Sequence, residues 1–246
     1  MAVEQRPDAS ATVARRTRRR TRPLLVTGIS LILVGVSLLG WLGWEFWGTN
    51  WLSHRTQARV IATLHHDWAN GTTDTSVSIP GSDVPVQALA VVRIPRFGPD
   101  YAVPVLQGTS AAVLAAGFGH YPSTARPGQV GNFALAGHRV THGEPLRNMP
   151  DLQVGDRVLV ETRRRVFTYI LDTGGEALVV PFTATWVLDP VPTNPDGGVE
   201  PPSRVAGQRL ITLTTCSELF HTDNRLVAFG HLVSSRPSSR SDQPSG

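Results

Sequence analysis

Residues Leu24 to Trp44 form a run of 21 residues without a charge, mostly Leu, Val, Ile and Gly. A helix of that length rises about 30 Å, the thickness of a bilayer's hydrocarbon core. The run therefore splits the chain into a segment that leaves water and parts that flank it. Gly28, Gly35, Gly40 and Gly43 would weaken a helix in water but are ordinary in membrane helices. Trp41, Trp44, Trp47 and Trp51 gather at the far end, as an interfacial aromatic belt does. A secretory signal peptide is the competing reading. Its apolar core is about 7–15 residues long and is followed by a small-residue cleavage site. Here the core is longer and the bulky Trp44-Glu45-Phe46-Trp47 follows. We read an uncleaved signal-anchor.

Charge gives this anchor a direction. Arg15, Arg16, Arg18, Arg19, Arg20 and Arg22 precede the span, and the positive-inside rule puts that end in the cytoplasm. The expected location is the cell membrane, single-pass, with the rest of the chain outside. Residues 1–22 carry seven arginines against Glu4 and Asp8, a net of +5, while the whole chain carries +4, so the remainder is about −1. The high isoelectric point thus belongs to the tail. It implies contact with membrane lipid at the inner leaflet and gives no reason to expect a nucleic-acid partner.

Composition divides the chain into a basic cytoplasmic tail (1–23), the signal-anchor (24–44), a juxtamembrane helix and linker (45–87), a folded domain (88–233) and a polar tail expected to be disordered (234–246). The domain is long enough to bury a core. Its strand-like runs are short: Leu89–Ile94, Tyr101–Leu106, Gly131–Ala136, Arg157–Glu161, Val166–Leu171, Thr183–Val187, Leu210–Thr214 and Arg225–His231. Turn signals such as Phe97-Gly98-Pro99-Asp100 and Asp172-Thr173-Gly174-Gly175 separate them. Only Thr109–Gly117 reads as helix. The pattern predicts a mainly β fold, an eight-stranded barrel with short helices, with a sandwich as the alternative.

Cys216 is the only cysteine. It can form no disulfide within the chain and by itself makes no zinc or iron–sulfur site; neither metal nor cofactor is expected. It ends the strand-like run Leu210–Cys216. His138 ends another, Gly131–His138, with Gly137 before it permitting close backbone approach. Arg225 opens the strand that follows Cys216. A thiolate can attack an amide carbonyl, an arginine fork can donate to the resulting oxyanion, and an imidazolium can protonate the departing amine. Singly, each residue also has a plain reading: a packed cysteine, a turn histidine, a solvated arginine.

The constellation resembles the sortases. Thr212-Leu213-Thr214-Thr215-Cys216 is similar to their Thr-Leu-x-Thr-Cys motif, Ala136-Gly137-His138-Arg139 to their catalytic histidine segment, and Asn224-Arg225-Leu226-Val227 to their catalytic arginine strand. The resemblance covers about Ala88 to Leu232. It implies an eight-stranded sortase-type barrel and a cysteine transpeptidase that cleaves a C-terminal sorting motif between Thr and Gly. Cys216 would be the nucleophile, His138 the acid–base residue and Arg225 the oxyanion-stabilising residue, with Thr215 against the bound peptide. The implied partners are secreted proteins bearing a sorting signal and a peptidoglycan precursor amine. Val92–Gly98, Gly119-His120-Tyr121-Pro122 and Val130–Arg139 look like the class E sortases of high-GC Gram-positive bacteria. That class is associated with a Leu-Ala-x-Thr-Gly motif, and Tyr121 falls at the tyrosine linked to that choice. The chain departs from the class after the nucleophile, with Ser217-Glu218 where His-Pro is frequent, and at His142, where a tyrosine is common. The alternatives are a pilus-polymerising sortase and a catalytically silent extracellular binding module, in which Cys216 would be buried and unreactive.

Overall fold

The computed structural model describes residues 22–44, 48–201, 207–216 and 223–239. The arginines before residue 22, Trp47, Ser217-Glu218 and the last seven residues, 240–246, lie outside the described residues. The chain separates into two compact units, 1–42 and 43–246. The first holds all but the last residue of helix α1 (Arg22–Gly43). Leu31, Ile32, Val36 and Leu39 are all exposed on it. A helix that is apolar all round needs lipid or protein to cover it. Its 19-residue stretch Leu25–Gly43, with a mean hydropathy of 2.2, is long and apolar enough to cross a membrane.

The second unit runs α2 (Thr49–Ala69), β1 (Thr75–Val77), β2 (Val86–Arg93), β3 (Val103–Gln107), α3 (Ala111–Ala116), β4 (Phe118–His120), β5 (Gly131–Ala136), β6 (Arg157–Glu161), β7 (Arg165–Leu171), β8 (Leu178–Pro181), β9 (Arg209–Cys216) and β10 (Asn224–Pro237). Eight strands pair in the order β2-β3-β4-β5-β9-β10-β7-β6, and β6 pairs back onto β2, which closes a barrel. Closure leaves these strands without an open sheet edge. β1 adds outside β2, and β8 pairs with β10. The β3–β4 and β5–β9 ladders are parallel; the others are antiparallel.

The barrel is filled by Val92, Ile94, Phe118, Phe133, Leu135, Tyr169, Ile211, Leu213 and their neighbours. Two outer clusters explain why several strands lack a polar alternation. Val91, Ala88 and Leu106 face outward yet are buried, because Val60, Leu64 and Trp68 of α2 and Val113 and Ala116 of α3 lie over them. Each valine or leucine among them contributes about 1.5–3 kcal/mol by leaving water. A polar contact adds to this seam: His65 Nε2 of α2 lies 3.4 Å from one buried oxygen of Glu161, and Arg93 Nε 3.7 Å from the other. The segment 70–86, expected as a linker, contains β1, and α2 packs on the barrel within the same compact unit.

Two local expectations are corrected. Thr183–Val187 is not a strand; a 3-10 turn covers Thr185–Leu188. The strand here is β8, which ends at Pro181, a residue with no N–H for the ladder. The turn then drops Val187 against Val227 and Phe229. The barrel's remaining strand is β4, whose Phe118-Gly119-His120 is too short and too weak in β-propensity to stand out. The C-terminal strand also runs past His231. Beyond a register shift between Leu232 and Ser234, β10 continues to Pro237 against β7, where Arg165 donates to Ser235 Oγ at 2.7 Å.

Candidate active site

Parallel pairing of β5 with β9 places two strand ends side by side. Ala136 is in register with Thr214, so His138 and Cys216 each stand two residues beyond that pair. The pairing continues past the strand ends. Gly137 N–H donates to the Thr214 carbonyl at 3.1 Å, and Thr215 Oγ1 donates to the Gly137 carbonyl at 2.7 Å. A Cβ at Gly137 would come within 3.0 Å of the Phe118 ring and 3.1 Å of Pro145, so the bare glycine lets the chain turn here. Antiparallel pairing of β9 with β10 then sets Arg225 directly opposite Cys216.

Alternation along the strands gives both residues the same face. Ile211 and Leu213 of β9, and Leu226 and Ala228 of β10, point into the barrel core. Thr212, Thr214 and Cys216, with Arg225, Val227 and Phe229, therefore lie on the outer face. The threonines there are buried and satisfied: Thr212 donates to Asn132 Oδ1 at 2.8 Å and Thr214 to the Leu135 carbonyl at 3.1 Å. Cys216, beyond them, is exposed. Thr215 is only 4% exposed and spends its hydroxyl on Gly137.

Arg225 is held from two sides. Its Nη1 donates to the Tyr121 hydroxyl at 3.0 Å, and its guanidinium carbon sits 3.6 Å from the centre of the Phe182 ring. Tyr121 Oη also makes a long contact, 3.5 Å, with Thr214 Oγ1. Thr214 already donates to Leu135, so in this contact the phenol is the group that can donate. One phenol lone pair receives Arg225, and the other has no partner among the described hydrogen bonds. Tyr121 is fixed by its neighbour: buried His120 bonds Gln107 Oε1 and the Ala125 carbonyl, each at 3.0 Å. Burial lowers the affinity of His120 for a proton, with Arg126 adding to the effect.

His138 is half-buried, and burial, followed by repulsion from His142, pulls its pKa down to about 4. At neutral pH it rests as the uncharged imidazole. The His142 ring stacks on it, centroids 5.0 Å apart and planes 29° from parallel. His142, Gly143 and Glu144 all have left-handed backbone, with φ of 56°, 79° and 47°. For a residue with a side chain this conformation costs roughly 1–2 kcal/mol. Asn50 of α2 reaches the same turn: its Oδ1 accepts from Gly143 N–H at 2.9 Å and its Nδ2 donates to Glu144 Oε1 at 2.6 Å.

All five residues singled out from the sequence thus lie on β4, β5, β9 and β10 or within two residues of them. Cys216 and Arg225 face each other, Tyr121 touches Arg225, and Thr215 ties the segment that leads to His138. Phe182 and Asn50 were missed. An exposed phenylalanine after a short strand and a helical asparagine carry no signal of their own. Among the described residues, no cluster of three or more His, Cys, Asp or Glu side chains could hold a metal.

A thiol, an imidazole and a guanidinium stand at neighbouring strand ends of a closed barrel, the groups that cysteine-dependent acyl transfer uses. Known proteins narrow that class. The sortase-domain profile matches residues 92–233. The chain is 37% identical over 255 residues to sortase SrtE1 of Streptomyces coelicolor, covering 96% of this chain and 67% of that one. The structure of sortase E from Streptomyces avermitilis superposes with a TM-score of 0.53 at 43% identity, over 61% of this chain and 90% of that one. Sortase E1 from Streptomyces coelicolor, solved with a tripeptide in its active site, gives a TM-score of 0.51 at 35% identity, over 69% and 98%. The chain belongs to the sortase family, cysteine transpeptidases that act on C-terminal sorting motifs, and is most similar to class E.

Proposed function

We propose that this protein cleaves a sorting motif between Thr and Gly through a thioacyl-enzyme on Cys216 and passes the acyl group to a cell-wall amine. The observation that carries this reading is the exposed thiol with Arg225 opposite it and His138 at the adjoining strand end. In the first half-reaction Cys216 Sγ attacks the threonine carbonyl while neutral His138 takes the thiol proton. The oxyanion forms within reach of the Arg225 guanidinium. Collapse breaks the C–N bond, and the glycine nitrogen leaves with the proton that His138 returns. In the second half-reaction an amine attacks the thioester, His138 takes its proton, and the thiolate leaves and is reprotonated. Thr215 contributes by clamping Gly137, and so the approach of His138, rather than by exposing its hydroxyl.

An alanine-containing motif fits Tyr121. Alanine carries a backbone N–H where proline has none, and the open lone pair of the phenol can accept it. The test is a competition between Leu-Ala-x-Thr-Gly and Leu-Pro-x-Thr-Gly peptides on the full chain in detergent, with diaminopimelate-type and lysine-type amines as acceptors. Preference for the alanine peptide, reduced in Tyr121→Phe, is expected. Equal use of both peptides removes the preference, and transfer to the lysine amine alone favours pilus assembly. Exposure of Cys216 runs against the silent-module alternative.

The anchoring helix α1 and the arginines before it support a cytoplasmic amino end and an external barrel. Protease added to intact protoplasts should remove the barrel. Full protection of it would place the domain inside.

A further inference from the structure

The turn 142–144 follows the histidine closely and is closed by one backbone bond, from Glu144 N–H to the Thr141 carbonyl at 3.2 Å. Three successive residues are left-handed, and only the middle one is glycine. Such a turn persists only where its surroundings over-determine it. Here the surroundings are α2. Asn50 holds Gly143 N–H and the Glu144 carboxylate together, and a Cβ at Gly143 would lie 2.5 Å from Gln57 Nε2 of the same helix. The product of this contortion is the placement of one ring: His142 lies face-on to His138. Its Nδ1 is tied to Thr141 Oγ1 at 2.9 Å.

We propose that His142 is a positioning residue for His138, and that Asn50 of α2 is the latch that keeps it there. This rests on the reading of His138 as the acid–base group. The stack fixes the plane of the His138 ring, which has no side-chain partner among the described hydrogen bonds. It also opposes charge on that ring, since a proton on either imidazole repels one on the other. The helix next to the membrane span is thereby part of the active-site architecture.

The surroundings limit which charges enter this pair. The small cavity of about 130 Å³ beside His142 is lined by Thr49, Leu52, Ser53 and Thr56 of α2, by alanines of α3 and by Pro80. None of these titrates. On the turn itself Glu144 is paired with Arg147, and Arg139 has its own partners. On the strand side stand Cys216 of β9, Arg225 of β10 and, bonded to Arg225, Tyr121.

The experiment compares Asn50→Ala, His142→Ala and His142→Phe in the full chain in detergent micelles. Peptide cleavage gives kcat, KM and the pH profile. Histidine-labelled NMR follows the protonation of His138 directly and needs no substrate. His142→Ala and Asn50→Ala should each lower kcat about 10-fold with KM within about 2-fold, as expected for misorientation of a proton-transfer group. His142→Phe keeps a ring in the stack and should recover most of that loss. It also removes the repulsion, so the His138 titration and the acid limb of kcat/KM should move up together, by about half a pH unit. A drop in kcat for His142→Phe equal to that of His142→Ala, or an unmoved His138 titration in His142→Phe, overturns the proposal. Wild-type turnover in Asn50→Ala overturns the latch. If the wild-type chain cleaves no sorting peptide, the functional reading fails by itself, while the NMR titration still decides the stack.

Discussion

Cys216→Ala should leave no acyl-enzyme and no turnover above background. The chain holds a single thiol, so no neighbour can take over the attack. The side chain sits exposed at the end of β9, beyond the buried ladder of Thr212 and Thr214. Its removal should therefore cost little stability, within about 0.5 kcal/mol for a surface change. That separation makes the test clean: an inactive variant should melt with the wild type. Cys216→Ser should also be nearly inactive, because a hydroxyl depends far more than a thiol on a base to become nucleophilic. Intact-protein mass spectrometry after incubation with the sorting peptide reads the acyl adduct, and chromatography reads cleavage. Peptide cleavage by Cys216→Ala at the wild-type rate would remove the nucleophile assignment.

The barrel was legible in the sequence where a short apolar run is bounded by glycine or charge. Gly131–Ala136 and Arg157–Glu161 match β5 and β6 end to end. It was illegible where tertiary packing decides. β4 is three residues long and exists because β3 and β5 flank it. Trp186-Val187-Leu188 is apolar because a turn packs it against Phe229, a reason that strand periodicity imitates. α2 looked polar enough to be a free juxtamembrane helix, but a single face of Val60, Leu64 and Trp68 suffices to seat it on the outer wall of β2 and β3. The site followed the same logic. Residues with chemistry of their own, Cys216, His138 and Arg225, announce themselves in a motif. Residues that act by holding others do not. Phe182, Asn50 and the left-handed turn at His142 become visible only when the chain is folded.

Arg225→Ala should lower kcat about 100- to 1,000-fold, the loss of roughly 2.7–4 kcal/mol that removal of an oxyanion donor brings. The reasoning begins with how the guanidinium is held. The Tyr121 hydroxyl takes one N–H at 3.0 Å, and the Phe182 ring, 3.6 Å away, covers one face of the plane. Two restraints on one planar group hold its remaining N–H bonds in fixed directions, and the residue that carries it pairs with Cys216 in the ladder. A donor already aimed costs no reorganisation when the oxyanion appears, which is why its effect should fall on kcat. Arg225→Lys should recover little of the loss, because an ammonium on a flexible stem has neither the fork nor a flat face to lie on the ring. Phe182→Ala and Tyr121→Phe each remove one restraint and should cost about 3- to 10-fold, in the range of a single cation–π contact or one charge-assisted hydrogen bond partly replaced by water. Because Phe182 acts through Arg225 alone, Phe182→Ala should not add to the loss already present in an Arg225→Ala background, whereas Tyr121→Phe also removes the acceptor for the alanine N–H and should still lower use of the alanine peptide there. Steady-state kinetics on the single and double variants separates the cases. A rise in KM with unchanged kcat in Arg225→Ala would make this residue a peptide anchor and leave the oxyanion without its donor. Full additivity of Phe182→Ala with Arg225→Ala would show that the phenylalanine touches the substrate for itself.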